Sequence, residues 1–304
     1  MPITLIENFR AVFYAPFYAA FALDAFKSEG VDVRMQASTD PTRTLSTLQS
    51  GAGQVSWGGP MRLLHAFNDN PASNLVSFCE VVSHDPFYLI GRTPNTAFRM
   101  QDLIGKRLAV VSEVPTPWYC LQYDLTLAGV DKASIKVAPP RTMAENAALL
   151  RAGELDVIQV FQPFAQQLLD EGAGNNWYIA ASRGPATYTT LNTTREFMQR
   201  EPQTVLAMTR AIYHTQRWIA SHSVAEFAKL VESYLPDVPQ ATLAACFDGY
   251  KTSGIWNVNP IQHRAGVEWL RGAMIACGAI HAKPSFEQVS DMRFAEQVVR
   301  GQPV

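Results

Sequence analysis

The sequence predicts a two-lobed α/β protein with a helical C-terminal tail, on three observations. Strand-like and helical segments alternate through the first ~70 residues, a second alternating series begins at Gly105, and from Arg195 apolar residues recur at helical spacing almost to the end. Alternation of this kind is the pattern of βαβ units, which build parallel sheets with helices on both faces.

Residues 2–7 alternate as a strand and leave it through Asn8-Phe9-Arg10. Residues 13–27 have helical spacing and stop at Gly30, and residues 31–36 form the next strand. Ser38-Thr39-Asp40-Pro41 is polar and suited to capping the helix predicted over 42–49. A short buried strand over 54–57 then meets the glycine turn Gly58-Gly59, and Pro60 opens a helix. Proline loses nothing there, because its missing N–H would have been unpaired in the first turn. Residues 75–82 and 87–91 are apolar and β-rich, separated by Ser83-His84-Asp85-Pro86. Further strands are predicted over 108–111, 135–138, 156–161, 178–182 and 188–192, with helices through 127, over 142–152 and after Gln162-Pro163-Phe164. Prolines at 202, 236, 239 and 284 and the segment 257–260 punctuate the helical tail. The predicted lobes are residues 1–88 plus 189–304 and residues 92–184. The crossings, near 89–91 and 184–188, could act as a hinge.

At 304 residues, with 47% hydrophobic and 17% charged residues, the chain has material for real cores and no signature of disorder. Net charge is −2 and no basic stripe is present, which argues against a nucleic-acid partner. Cys79, Cys120, Cys246 and Cys277 lie far apart in apolar settings, so they read as free thiols and not as a metal site. No apolar run is long enough to span a bilayer. The chain passes from Met1 almost directly into a strand, so the expected location is periplasmic if a leader was removed and cytoplasmic if the chain is complete as written.

Several segments, in this order along the chain, resemble bacterial substrate-binding proteins for sulfonates and thiamine-pyrimidine precursors. They are Asn8-Phe9 followed by aromatics and Pro16, Glu29-Gly30-Val31-Asp32-Val33, the turn from Gly51 to Gly59, Asp102-Leu103-Ile104-Gly105-Lys106-Arg107-Leu108, residues 149–156, and Glu196-Phe197 with residues 202–211. The resemblance implies a periplasmic-binding-protein type II fold that closes by a hinge around a small ligand between lobes, and Phe9 and Tyr14, where relatives often show Trp and His, point to an aromatic or heteroaromatic body (pyrimidine-like, carboxylate or sulfonate). For an exported protein it also implies an ABC permease as partner. The fungal-type pyrimidine synthase shares this fold and is similar through Asp85-Pro86-Phe87. That family needs a lysine just after the glycine turn to hold pyridoxal phosphate as a substrate, and the matching position is Pro60. Its expected histidine falls on Leu64, with His65 lying about 100° around the helix. No cysteine stands in residues 184–190, where its cysteine cluster belongs. The expectation is therefore a binding protein without cofactor, metal or catalytic residues. The competing class is an enzyme on the same scaffold, a pyrimidine-precursor synthase or an aromatic-acid decarboxylase.

Ligands of open α/β sheets sit beyond the carboxyl ends of the strands, which selects the candidates. Asn8, Phe9, Arg10, Phe13 and Tyr14 follow the first strand; Trp57, Gly58, Gly59 and Pro60 form the strand–turn–helix seat. Arg10 reads equally as a carboxylate-binding cation or a surface arginine. Ser38 and Thr39 could donate to a ligand or merely cap a helix. His84 and Asp85 lie beside the first crossing, while Ser112, Glu113 and Trp118 occupy the matching strand exit of the second lobe. Gln162 and Tyr188 complete the set. Trp57 and Trp118 are expected to face each other across the cleft and sandwich a flat ring. Trp218, Trp256 and Trp269 are expected to pack the tail onto lobe one.

Overall fold

The computed structural model describes residues 2–301, so the outer limits set above at Met1 and Val304 lie outside the described residues. Its strands in chain order are β1 (Ile3–Glu7), β2 (Val33–Ala37), β3 (Val55–Gly58), β4 (Leu75–Val82), β5 (Tyr88–Gly91), β6 (Arg107–Ala109), β7 (Lys136–Val137), β8 (Val157–Val160), β9 (Asn175–Ile179) and β10 (Thr189–Thr194). They form two five-stranded sheets of matching plan, β2-β1-β3-β10-β4 and β7-β6-β8-β5-β9. The fold is the two-unit α/β architecture expected from the alternation.

In each sheet four strands share one direction, three of them paired side by side because helical crossovers join them, while the one strand arriving from the other sheet runs antiparallel to both its neighbours. That visiting strand is β10 in the first sheet, between β3 and β4, and β5 in the second, between β8 and β9. Periodicity gives no strand direction, so this mixed character was beyond the sequence pattern. The first crossing also lies earlier than expected. Leu89, Ile90 and Gly91 are ladder residues paired to Gln159, Ile158 and Val157, so the chain changes sheets over residues 83–87. Another boundary moves similarly: β9 starts at Asn175 and residues 180–183 form a short 3-10 turn where strand was expected.

The tail ties both sheets together. Tyr250 Oη donates to the Pro86 carbonyl (3.2 Å) and accepts from the Gln162 backbone N–H (3.0 Å). The helix Arg264–Ala276 lies so close to the second crossing that a Cβ on Gly266 would fall 2.9 Å from Thr187 N. Only glycine permits that approach. Trp256 packs the tail onto the first unit as expected: its Nε1 donates to the Phe13 carbonyl (2.9 Å) and its backbone bridges Val82, while its ring meets Phe227, Phe247 and Tyr250 of the tail itself. Trp269 does not: its ring meets Tyr123 (5.3 Å) and the Arg183 guanidinium (4.9 Å), groups of the second unit. An amphipathic pattern shows that a ring is buried but not which surface buries it.

Glu80, on β4, is fully buried. Its Oε2 accepts from Asn257 Nδ2 (2.7 Å) and His263 N–H (3.3 Å), and its Oε1 is within hydrogen-bond geometry of no group among the described residues. Burial pushes this carboxyl up from 4.5 to about 8. The folded state therefore holds a proton that the unfolded chain releases above pH 4.5, and stability must fall as pH rises from 4.5 toward 8. From this group alone the slope approaches about 1.4 kcal/mol per pH unit. Urea unfolding of wild type and Glu80→Gln across that range checks it: the amide variant is expected to lose the slope, and equal slopes would refute the assignment.

Candidate functional site

Two compartments separate the carboxyl ends of the strands of the two sheets, and Phe9 lines both. The larger is a chamber of ≈ 640 Å³, within the range usual for small-molecule sites. One wall comes from Phe9, Arg10 and Val12 after β1, and the facing wall from Phe161, Pro163 and Phe164 after β8. Residues 234–238 of the tail close the third side. The smaller compartment holds only ≈ 20 Å³ and is lined by Asn8, Tyr14, Gly59, Arg62, Thr116 and Tyr188, among others. Aromatic rings fill most of its surroundings: Phe13 meets Tyr14 (4.4 Å), Phe161 (5.4 Å) and Tyr188 (6.3 Å), and Phe87 meets Tyr188 (5.9 Å).

The structure brings Asn8, Phe9, Phe13, Tyr14, Gly59 and Tyr188 together around the smaller compartment, and Phe9, Arg10, Ser38 and Gln162 around the chamber. Asn8 is buried, and its Oδ1 accepts from Thr44 Oγ1 (2.9 Å), which fixes the side chain at the end of β1. Gly58 packs under Asn8 and presents its carbonyl to Asn192 Nδ2 (3.3 Å), so it supports the turn from below.

Other candidates are placed differently. Arg10 donates to both carboxylate oxygens of the buried Glu7 (2.9 and 2.7 Å) and to the Tyr234 carbonyl (2.8 Å), so its bidentate partner is the protein's own. Trp57 is fully buried and stacks on Phe17 (4.6 Å, 8°), with Tyr14 and Tyr18 at its edges. It lines neither compartment, and Pro60 beside it is likewise packed away. Trp118 packs on the small core of the second unit around Leu121 and Leu125. The expected tryptophan sandwich is therefore replaced by Phe13, Tyr14, Phe87 and Tyr188, because the helix Ala15–Ala22 claims Trp57 for the first core.

The cap of the turn at 41–43 is Asp40, whose Oδ1 accepts from Thr42 N–H (2.9 Å); neither Ser38 nor Thr39 has that role. Thr39 faces a polar hollow with Asp40 and Arg43, outside both compartments. Ser112 Oγ donates to the Arg141 carbonyl (2.7 Å) and Glu113 accepts from Met143 N–H (2.7 Å), so both serve the loop before the helix Met143–Arg151. His84 Nδ1 lies 2.9 Å from Ser83 Oγ, and burial pushes its imidazole down. Asp85 is buried and ion-paired with Arg183 (2.5 Å). Gln162 Oε1 accepts from Gln166 N–H (2.8 Å), bracing the next helix from the chamber wall.

Phe87, Val114, Thr116, Phe161 and Arg62 line the site without having been singled out. Arg62 left a signal. A cation in the first turn of the helix Met61–Asp69 works against the helix dipole, so local helix stability does not account for it. Desolvation pushes its guanidinium down from the usual arginine range, with Tyr14 and Asp40 opposing.

The model of the family described as NMT1/THI5 like matches residues 12–225. A protein of Bacillus subtilis (strain 168), provisionally named binding protein YtlA, is 22% identical over 301 residues, covering 97% of this chain and 89% of its own. The periplasmic aliphatic sulphonate binding protein SsuA from Escherichia coli superposes with a TM-score of 0.78 at 12% identity, over 98% of each chain. The desulfurization enzyme DSZB superposes with a TM-score of 0.71 at 13% identity, over 98% of this chain and 99% of that one.

Proposed function

Because the chain belongs to the NMT1/THI5-like family, we propose that it is a solute-binding protein that captures a small solute between two α/β lobes. The observation that carries this reading is the chamber of ≈ 640 Å³ walled by the strand ends of both sheets. The names of YtlA and of SsuA from Escherichia coli agree with it. In this reading the lobes are residues 2–82 plus 189–301 and residues 88–183, and they swing about segments 83–87 and 184–188. The solute has an apolar, ring-sized body, since Phe9, Val12, Phe161 and Phe164 offer mainly apolar contact. Delivery to an ABC permease, and a periplasmic location, belong to the same reading.

An enzyme of thiol chemistry has less support. Cys79, Cys120 and Cys246 are buried, Cys277 is half-buried, and none of them lines either compartment. Burial pushes the thiols of Cys79 and Cys120 well above the usual range, away from the nucleophilic thiolate.

A thermal-shift screen of aromatic acids, sulfonates and pyrimidines tests the proposal. A ligand at one hundred times its Kd adds about 2.7 kcal/mol, raising the midpoint of a chain of this length by roughly 4 °C. Small-angle scattering with the hit present should then show a smaller radius of gyration, and mass spectrometry should recover the solute unchanged. Recovery of a converted product would overturn the binding-protein reading in favour of an enzyme.

A further inference from the structure

Resting on the binding-protein reading, we propose that the chamber selects ring solutes that carry no negative charge, and that Glu7 sets this preference by holding the charge of Arg10. Among the described residues lining the chamber, the charged side chains are Glu7, Arg10 and Asp237, one guanidinium against two carboxylates. The guanidinium is committed. Its Nε and Nη2 donate to the two oxygens of Glu7 (2.9 and 2.7 Å), its Nη1 donates to the Tyr234 carbonyl (2.8 Å), and its Cζ lies 5.3 Å from the centre of the Tyr18 ring. Glu7 is 2% exposed and also accepts from Tyr18 Oη (2.7 Å). Drawing Arg10 onto a solute anion would leave the Glu7 carboxylate buried without its cation, which is the costly way to break an ion pair.

The facing wall supplies no substitute for that cation. Pro163 has no N–H, and the amides of Ala165, Gln166 and Gln167 donate to the Phe161 carbonyl (3.3 Å), Gln162 Oε1 (2.8 Å) and the Pro163 carbonyl (2.9 Å). Ser38 Oγ donates to the Asp40 carbonyl (2.9 Å), so its hydrogen is engaged as well.

The remaining surface suits an uncharged or protonated solute. Phe9, Phe161 and Phe164 contribute rings, whose negative faces attract a cation and repel an anion, and Gln167 contributes a neutral amide. Asp237, exposed on the tail side of the chamber, acts in the same direction. An anion entering here gives up its water with no opposite charge free to replace it.

Calorimetry on the full chain with benzoate, benzamide and benzylamine, and with the same three forms of naphthalene and pyridine, tests the preference. In each ring series that binds, the carboxylate is expected to be the weakest by about tenfold or more. Glu7→Gln, which keeps a hydrogen-bonding partner for Arg10 but removes its countercharge, is expected to tighten the carboxylate about tenfold and to leave the carboxamide within about threefold. Asp237→Asn, at an exposed position, is expected to tighten the carboxylate and to weaken the aminomethyl form by about threefold each, and it carries the test if Glu7→Gln does not fold. A carboxylate that binds as tightly as its carboxamide overturns the preference. A carboxylate affinity unchanged in the folded variants overturns the role given to Glu7 and Asp237. If all three series fail while another solute of the thermal-shift screen raises the melting point, the charge of that solute decides. An anionic hit overturns the preference and leaves the binding-protein reading standing, whereas an uncharged or cationic hit supports both. If no solute of the screen binds, both fall.

Discussion

Replacing Arg183 by methionine is expected to cost about 3–5 kcal/mol of stability, among the largest effects available to a single substitution in this chain. Its guanidinium donates from Nη1 to Asp85 (2.5 Å) and from Nε to Asp124 (3.0 Å), and all three side chains are at most 8% exposed. Asp85 belongs to the first crossing, Arg183 to the end of the second unit just before Gly184, and Asp124 to the helix Thr116–Leu127. The cation also lies over Trp269, on a tail helix. One side chain thus joins both crossings, the second unit and the tail. Methionine keeps much of the volume but leaves two carboxylates buried without their cation, and burial already pushes the Asp85 carboxyl up. Urea denaturation measures the loss. The double variant Arg183→Met with Asp85→Asn is expected to recover part of it, because one stranded charge is gone. A loss below 1 kcal/mol for the single variant would show that the triad is not held as described.

Trp57→Ala is expected to cost a further class of energy, about 3–5 kcal/mol, through the cavity left in the first core. The indole is fully buried against Phe17, Tyr14 and Tyr18, and its Nε1 has no acceptor among the described residues. Trp57→Phe keeps most of the stacking and removes that unpaired N–H, so its cost should be well under that of alanine. Solute affinity separates the packing role from the ligand-contact role first expected of this residue. The phenylalanine variant should bind any hit of the thermal-shift screen within threefold of wild type. A tenfold loss of affinity at unchanged stability would return Trp57 to the binding surface.

These two residues also mark where sequence reading succeeds and stops. The glycine turn and Pro60 foretold a strand–turn–helix at 55–69, because backbone freedom at Gly58-Gly59 and proline geometry are local. The same local logic put Asn8, Phe9, Phe13, Tyr14, Gly59, Gln162 and Tyr188 at strand ends, where the cleft lies. Trp57 was also at a strand end, yet one residue of difference along β3 turns a side chain to the opposite face. Arg10 illustrates another limit. Its partner Glu7 is only three residues away, but a bent exit loop, not regular periodicity, brings the two together.

By itself the sequence determined the two alternating series, the helical tail and the strand ends that border the site, since each follows from the spacing of apolar residues and from glycine and proline geometry. Tertiary structure alone decided that β5 and β10 run antiparallel, that Asp85 pairs with an arginine 98 positions away, and that Arg62 reaches the compartment while Trp57 does not. The physical reason is common to all three. A side chain's own periodicity fixes whether it is buried, but its partner is set by elements distant in sequence that compete for the same surface.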